Sequence, residues 1–357
     1  MHRMKQETTI LMDNSRLEVS GQRSAFVLGL PKAELHLHLE GAIEPETVVE
    51  LARKHKQQLD LEQVRELYRY TDFTGFLLCF REITQYLQTP DDYELITYRL
   101  LQRLAAENVK HAEVYVAVGV CLWRGRKFAE IFQGLERGRV SGERDFKISL
   151  YWIFDAVRHF GPEKAMEVAE CAVQLQRYGS VIGFGIGGDE RRAGPELFAE
   201  VYAYAARHGL RLTCHAGETN GPESVWIALQ TLRSERIGHG LSCWRDRELL
   251  AHLVERQVPL EVSLSSNLRT GCIRALPQHP VKTYFDLGLL VTLNTDDPAM
   301  FETSLSREYQ IAQETFGFRD EQLKQLARNS FRASFLPADK KREYLSLLEA
   351  TPVGRAD

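Results

Sequence analysis

Pro195-Glu196-Leu197-Phe198-Ala199-Glu200-Val201-Tyr202-Ala203-Tyr204-Ala205-Ala206-Arg207-His208-Gly209-Leu210-Arg211-Leu212-Thr213-Cys214-His215 changes its period partway along. Leu197, Phe198, Val201, Tyr202 and Ala205 recur at three- and four-residue spacing, which predicts an amphipathic helix over Pro195–His208. Gly209 supplies a stop signal, and Leu210–His215 is a short apolar run suited to a buried strand. A helix followed by such a strand is half of a βαβ unit, and this strand ends on a histidine.

The same alternation extends in both directions. Strands are predicted at Ala33–His38, Ala112–Val118, Ile148–Phe154, Val181–Ile186, Leu210–His215, Arg236–His239, Leu260–Leu264 and Leu289–Asn294. Helices are predicted at Pro45–His55, Leu249–Arg256 and Gln322–Arg332 among others, the first opened by Glu44-Pro45. Eight strands alternating with helices point to an α/β fold, a (β/α)8 TIM barrel, carrying a helical insertion after the first strand between Leu51 and Asn108. Within that insertion Thr71–Phe80 either covers the barrel mouth or packs as a helical pair on its side. Residues 1–28 read as a polar leader, 29–345 as the barrel and 346–357 as a tail.

Composition narrows the function. The formal net charge of -4 gives no electrostatic case for nucleic acid or membrane binding. The six cysteines are scattered without a C-x-x-C pair, the pattern of reduced thiols in a cytoplasmic protein. Neither a signal peptide nor a membrane helix is expected.

Polar residues collect where the predicted strands end, and in a barrel those ends converge on one face. His36 and His38 share one side of the first strand, because side chains alternate with a period of two. His215 ends the fifth strand, and Asp296 follows the eighth. Three imidazoles and one carboxylate suit a single Zn2+ ion with a position left for water. Such an ion lowers the pKa of its water from 15.7 to about 7. His239, between Gly238 and Gly240, is placed to take or steer the water's proton. Glu218 lies three residues past His215, where a shielded carboxyl would have a raised pKa and could donate a proton. With Asp296 on the metal, adjacent Asp297 is free to hydrogen-bond a substrate.

Taken together, these residues resemble the adenosine deaminase family of the amidohydrolase superfamily. The matching segments are Leu30–Gly41, Gly187-Gly188-Asp189-Glu190, His215-Ala216-Gly217-Glu218, Arg236-Ile237-Gly238-His239-Gly240, Ser266-Asn267 and Asn294-Thr295-Asp296-Asp297-Pro298. The resemblance implies one zinc on His36, His38, His215 and Asp296. It implies Glu218 protonating purine N1, His239 orienting and deprotonating the water, Asp297 at N7 or the departing amine, and the Gly188 backbone at N3. His38 and Glu40 would also flank the substrate. The pattern departs on the sugar side. Glu40-Gly41 stands where the family often has Asp-Gly, whose aspartate contacts the ribose 5′-hydroxyl, and Ser263–Asn267 replaces Cys-Pro-x-Ser-Asn.

The resulting expectation is zinc-dependent deamination of a 6-aminopurine nucleoside, first adenosine, with water as the other reactant. Aminodeoxyfutalosine, which carries a bulky 5′ substituent, is the alternative, followed by adenine and N6-methyl-AMP. A binuclear amidohydrolase is disfavoured because no lysine stands in Gly183–Gly188, and an inactive binding barrel because acid, base and ligands are all present. Oligomeric state is not legible at this level.

Overall fold

A computed structural model describes residues 24–353. Eight strands form one parallel sheet in chain order: β1 (Lys32–His38), β2 (Val109–Val116), β3 (Ser149–Val157), β4 (Val181–Gly187), β5 (Arg211–Ala216), β6 (Arg236–His239), β7 (Leu260–Val262) and β8 (Val291–Leu293). Helices follow the strands on the outside, so the sheet is covered on both faces and β1, β6, β7 and β8 are buried at every residue. This is the expected (β/α)8 barrel.

The ring closes between β8 and β1 in an unusual way. A single backbone bridge joins Leu37 to Asp296. There Asp296 N donates to His36 O at 3.0 Å and His38 N donates to Asp296 O at 2.7 Å. Below it the side chain of Asn294 replaces the ladder, its Oδ1 accepting from Leu35 N at 2.9 Å and His36 N at 3.1 Å. Thr295 N donates to Glu34 Oε1 at 2.8 Å. These substitutions explain why β8 stops at Leu293, one residue short of the expected strand end.

The barrel interior departs from the usual filling of branched aliphatic residues. Arg236 of β6 reaches Glu113 of β2, and its Nε lies 2.5 Å from Glu261 Oε1 of β7. Contacts between strands that are not neighbours in the sheet place these side chains inside the ring. All three are at most 1% exposed.

Several predicted boundaries shift. Pro195–Phe198 is a 3-10 turn and the α-helix begins at Ala199, running to Arg207. The seventh strand ends at Val262, and a short helix, Leu264–Arg269, takes up the segment predicted to extend it. The insertion comprises helices Pro45–Lys54, Leu61–Leu67, Phe73–Thr84 and Pro90–Ala106. Of the leader expected over 1–28, residues 1–23 lie outside the described residues, and Ala25–Gly29 is a short helix with Val27 buried. Helix Ala338–Glu349 extends into the expected tail and buries Leu348, while 354–357 lie outside the described residues. Among the described residues no helix is long and apolar enough to cross a membrane.

Candidate active site

The C-terminal strand ends gather the predicted residues into one buried cluster. Nitrogens of His36, His215 and His239 and an oxygen of Asp296 lie within 4.8 Å of one another. His38 joins them, its Nε2 3.2 Å from His215 Nε2 and 3.3 Å from Asp296 Oδ1. His36 Nε2 is 3.4 Å from the same Asp296 oxygen. Glu218 stands at the edge, Oε2 3.7 Å from His239 Nε2.

Backbone geometry aims two of these side chains. His239 and Asp296 adopt left-handed conformations, φ +64° and +65°. His and Asp tolerate that region better than most residues, yet it still costs of order 1–3 kcal/mol where the surroundings enforce it. Glycines make room as well. A Cβ on Gly238 would lie 2.7 Å from His36 Cε1, and one on Gly41 would overlap the Asp297 carboxyl at 1.7 Å. Gly238 therefore makes space for a neighbouring imidazole.

A shell of hydrogen bonds orients the cluster. Glu261 Oε2 accepts from His36 Nδ1 at 2.8 Å, which leaves the Nε2 lone pair facing the centre. Ser266 Oγ donates to Asp296 Oδ2 at 2.7 Å. Asn267 Nδ2 lies 3.3 Å from His239 Nδ1. Glu190 accepts from the backbone N–H groups of Glu218, Thr219 and Asn220 at 3.2, 3.2 and 2.9 Å, fixing the loop that carries Glu218.

Electrostatics divide the groups by role. Burial, with the charges of Asp296 and Glu190 added, raises the Glu218 carboxyl well above the usual range, which favours its protonated form. Burial and then the neighbouring Asp296 charge do the same to Asp297. Burial lowers His38 to about 4 and His239 to about 3, keeping both imidazoles neutral. His36 goes the other way. Burial opposes its charge, but hydrogen bonds and charges from Asp296 and Glu261 outweigh that and raise it to about 10. The carboxylates thus call for positive charge at the centre. The atoms also fit a cation: His36 Nε2 is buried without a hydrogen-bond partner, and histidine nitrogens and a carboxylate oxygen lie together as a possible donor set.

The cluster forms the floor of a cavity of about 350 Å³. His38, Gly188, Asp297 and Glu218 line it, as do Asp155 and His159. Above them stand Phe73, Phe76, Leu77 and Phe80 of helix Phe73–Thr84. The aromatic segment of the insertion therefore walls the barrel mouth instead of packing on its side. Trp123, stacked on Phe160 with ring centroids 5.7 Å apart, lines the cavity as well. Glu40 does not reach this cavity. It is buried, and both its carboxylate oxygens accept from Ala117 N, at 3.1 and 3.3 Å.

Sequence reasoning gave no role to Glu261, Asp155 or Glu190. The first two were detectable as acids inside apolar strand runs, Leu260-Glu261-Val262 and Phe154-Asp155-Ala156. Trp123 and Phe160 carried no comparable signal.

Comparison with known proteins agrees with this geometry. The adenosine deaminase family model matches residues 31–351. An aminodeoxyfutalosine deaminase of Streptomyces avermitilis is 40% identical over 321 residues, 89% of this chain and 90% of that protein. The crystal structure of an adenine deaminase from Arthrobacter aurescens superposes with a TM-score of 0.86 at 33% identity, covering 90% of this chain and 98% of that one. A zinc-bound amidohydrolase from Burkhoderia ambifaria superposes with a TM-score of 0.86 at 29% identity, covering 93% and 95%. The chain belongs to the adenosine deaminase family, within the metal-dependent amidohydrolases, and is a hydrolytic deaminase acting on a C–N bond.

Proposed function

We propose that the protein removes the 6-amino group from a purine nucleoside bearing a bulky 5′ substituent, with aminodeoxyfutalosine as the leading substrate. The observation that carries this reading is the outward reach of the cavity. It continues past the buried cluster to Trp123 and Leu78, which are 54% and 47% exposed. A bare adenine ring would leave that apolar wall wet. An occupant that extends beyond the ribose would cover it and gain the burial of its apolar surface. Glu40 is compatible with this view, since its carboxylate is turned to Ala117 N and is not among the residues lining the cavity. Adenosine, the first expectation from sequence, lacks a group to fill the outer cavity. The names of the relatives favour aminodeoxyfutalosine or adenine over it.

In this reading His36, His38, His215 and Asp296 hold one zinc ion. When bound, zinc supplies a water ionised near neutral pH as the nucleophile. Glu218, kept protonated by burial, donates to purine N1 and makes C6 electrophilic. Asp297, also protonated, holds N7 and the departing amine side, the Gly188 backbone holds N3, and His239 orients the water. Water adds to C6, ammonia leaves, and a 6-oxopurine remains.

Zinc analysis and a steady-state comparison of adenosine, 2′-deoxyadenosine, adenine, AMP, N6-methyl-AMP and aminodeoxyfutalosine test the proposal. The highest kcat/KM is expected for aminodeoxyfutalosine. A preference for adenine would overturn the outer-cavity argument, and a zinc-loaded protein inert to all six would overturn the 6-aminopurine assignment.

A further inference from the structure

We infer that His279 and Asn267 are positioning residues that lock His239 as a hydrogen-bond donor, its Nε2–H turned toward the reacting atoms. The argument starts from a group whose role is fixed. Val281 is the first residue of helix Val281–Asp286, and its backbone N–H can only donate. It donates to His279 Nδ1 at 3.0 Å, so that nitrogen carries a lone pair. A neutral His279 then bears its proton on Nε2, which lies 3.1 Å from Asn267 Oδ1 and donates to it. This also settles the orientation of the Asn267 amide, whose Nδ2 faces His239 Nδ1 at 3.3 Å. An amide nitrogen donates and does not accept, so His239 Nδ1 is the acceptor and the proton of the neutral ring is on Nε2.

Nothing competes with this chain of bonds. His239, Asn267 and His279 are 2%, 0% and 4% exposed. Protonating His239 on Nδ1 would set two N–H groups face to face in a site shut off from water. His279 stays neutral for a related reason, since burial, with His239 nearby, lowers it to about 3.

The consequence concerns the chemistry at the other end of the ring. An imidazole that presents N–H at Nε2 neither coordinates a cation through that atom nor accepts a proton there. It donates to an oxygen, and such a donor acts where negative charge develops. This separates His239 from the ligand histidines, although its nitrogen lies among theirs, and replaces the expected proton acceptor with a donor.

The test uses the zinc-loaded full chain labelled with 15N-histidine. Two-bond 15N–1H correlations report the tautomer of each ring, with His239→Gln identifying the signal. The wild type should show His239 as the Nε2–H form. Asn267→Asp places an acceptor at Nδ1 and should convert it to the Nδ1–H form. With zinc content unchanged, kcat should fall about a hundredfold while KM stays within about twofold. Should that variant not fold, His279→Leu frees the Asn267 amide to turn and should give a mixture of tautomers. His279→Gln, which can still donate to Asn267, should restore the wild-type spectrum and kcat. An Nδ1–H ring in the wild type, or an unaltered Nε2–H ring in whichever of Asn267→Asp or His279→Leu folds, overturns the inference. The kinetic arm rests on the deaminase reading above. The spectra need no substrate, so they decide the tautomer even for a protein inert to every 6-aminopurine.

Discussion

The two ends of the barrel are built from the same strands and treat charge in opposite ways. At the lower end the chain pairs most of its own charged groups. Lys32 donates to Val27 O and Leu30 O at 2.7 and 2.9 Å, and Arg236 sits between Glu113 and Glu261. Arg236 outweighs burial and lowers Glu113 to about 2. At the upper end, four residues further along β1 and three along β6, the balance is left open. His36 Nε2, His215 Nδ1, Asp155 Oδ1 and Asp297 Oδ1 are buried without partners. An unsatisfied buried polar group costs about 1–3 kcal/mol. The lower end is largely paired within the chain, Glu34 Oε2 excepted, and the upper end leaves more polar atoms open to what binds there. Glu261 touches both, with one oxygen on Arg236 and the other on His36.

The largest expected effect falls on the open end. Glu218→Gln keeps the shape and loses the proton, so kcat should drop by roughly 10²- to 10⁴-fold while zinc content and Tm hold. In the wild type the donor works only when protonated and its pKa is raised. Activity should persist through neutral pH and fall on the alkaline side as Glu218 ionises. Loss of kcat/KM above about pH 5, where an ordinary carboxyl is already ionised, would count against its role.

The closed end should fail differently. Arg236→Met leaves Glu113 and Glu261 buried without their cation and should cost about 3–5 kcal/mol in urea unfolding. An unchanged midpoint would erase the contrast between the two ends. Chelation probes the open end by stability instead of rate. If free zinc stands at about a hundred times its Kd, stripping it should remove about 2.7 kcal/mol of stability, restored by adding the metal back. The smallest effect is expected at the outer wall. Trp123→Ala should raise KM for aminodeoxyfutalosine about tenfold, near 1.4 kcal/mol, and leave adenine unaffected.

Most of the barrel was legible because its signals are local. Leu210–His215 and Arg236–His239 read as strands from their apolar runs, and His36, His38, His215 and Asp296 stood out by their places at strand ends. What escaped depends on partners far away in the chain. Glu40 was expected to face the substrate from its motif, and the contact its carboxylate makes, with Ala117 N, comes from 77 residues on. The outer wall pairs Trp123 with Phe160, two aromatic residues that no local period links. Asn267 was noted as part of a motif. Its use became visible only when Val281 and His279 fixed the direction of the hydrogen bonds reaching it.

The seam between β8 and β1 carries a consequence for how the ring holds together. A closed ring opens first at its sparsest joint, and here one backbone bridge and a few side-chain bonds take the place of a ladder. His36 and His38 lie on one side of that joint and Asp296 on the other. A cation held among them, as proposed above, would work as a clasp across the sparsest joint, tying the first strand to the residues that follow the last. Loss of such a metal would then unfasten the barrel as well as disarm it, and amide exchange at His38 and Asp296 would be the first place to see the ring come undone.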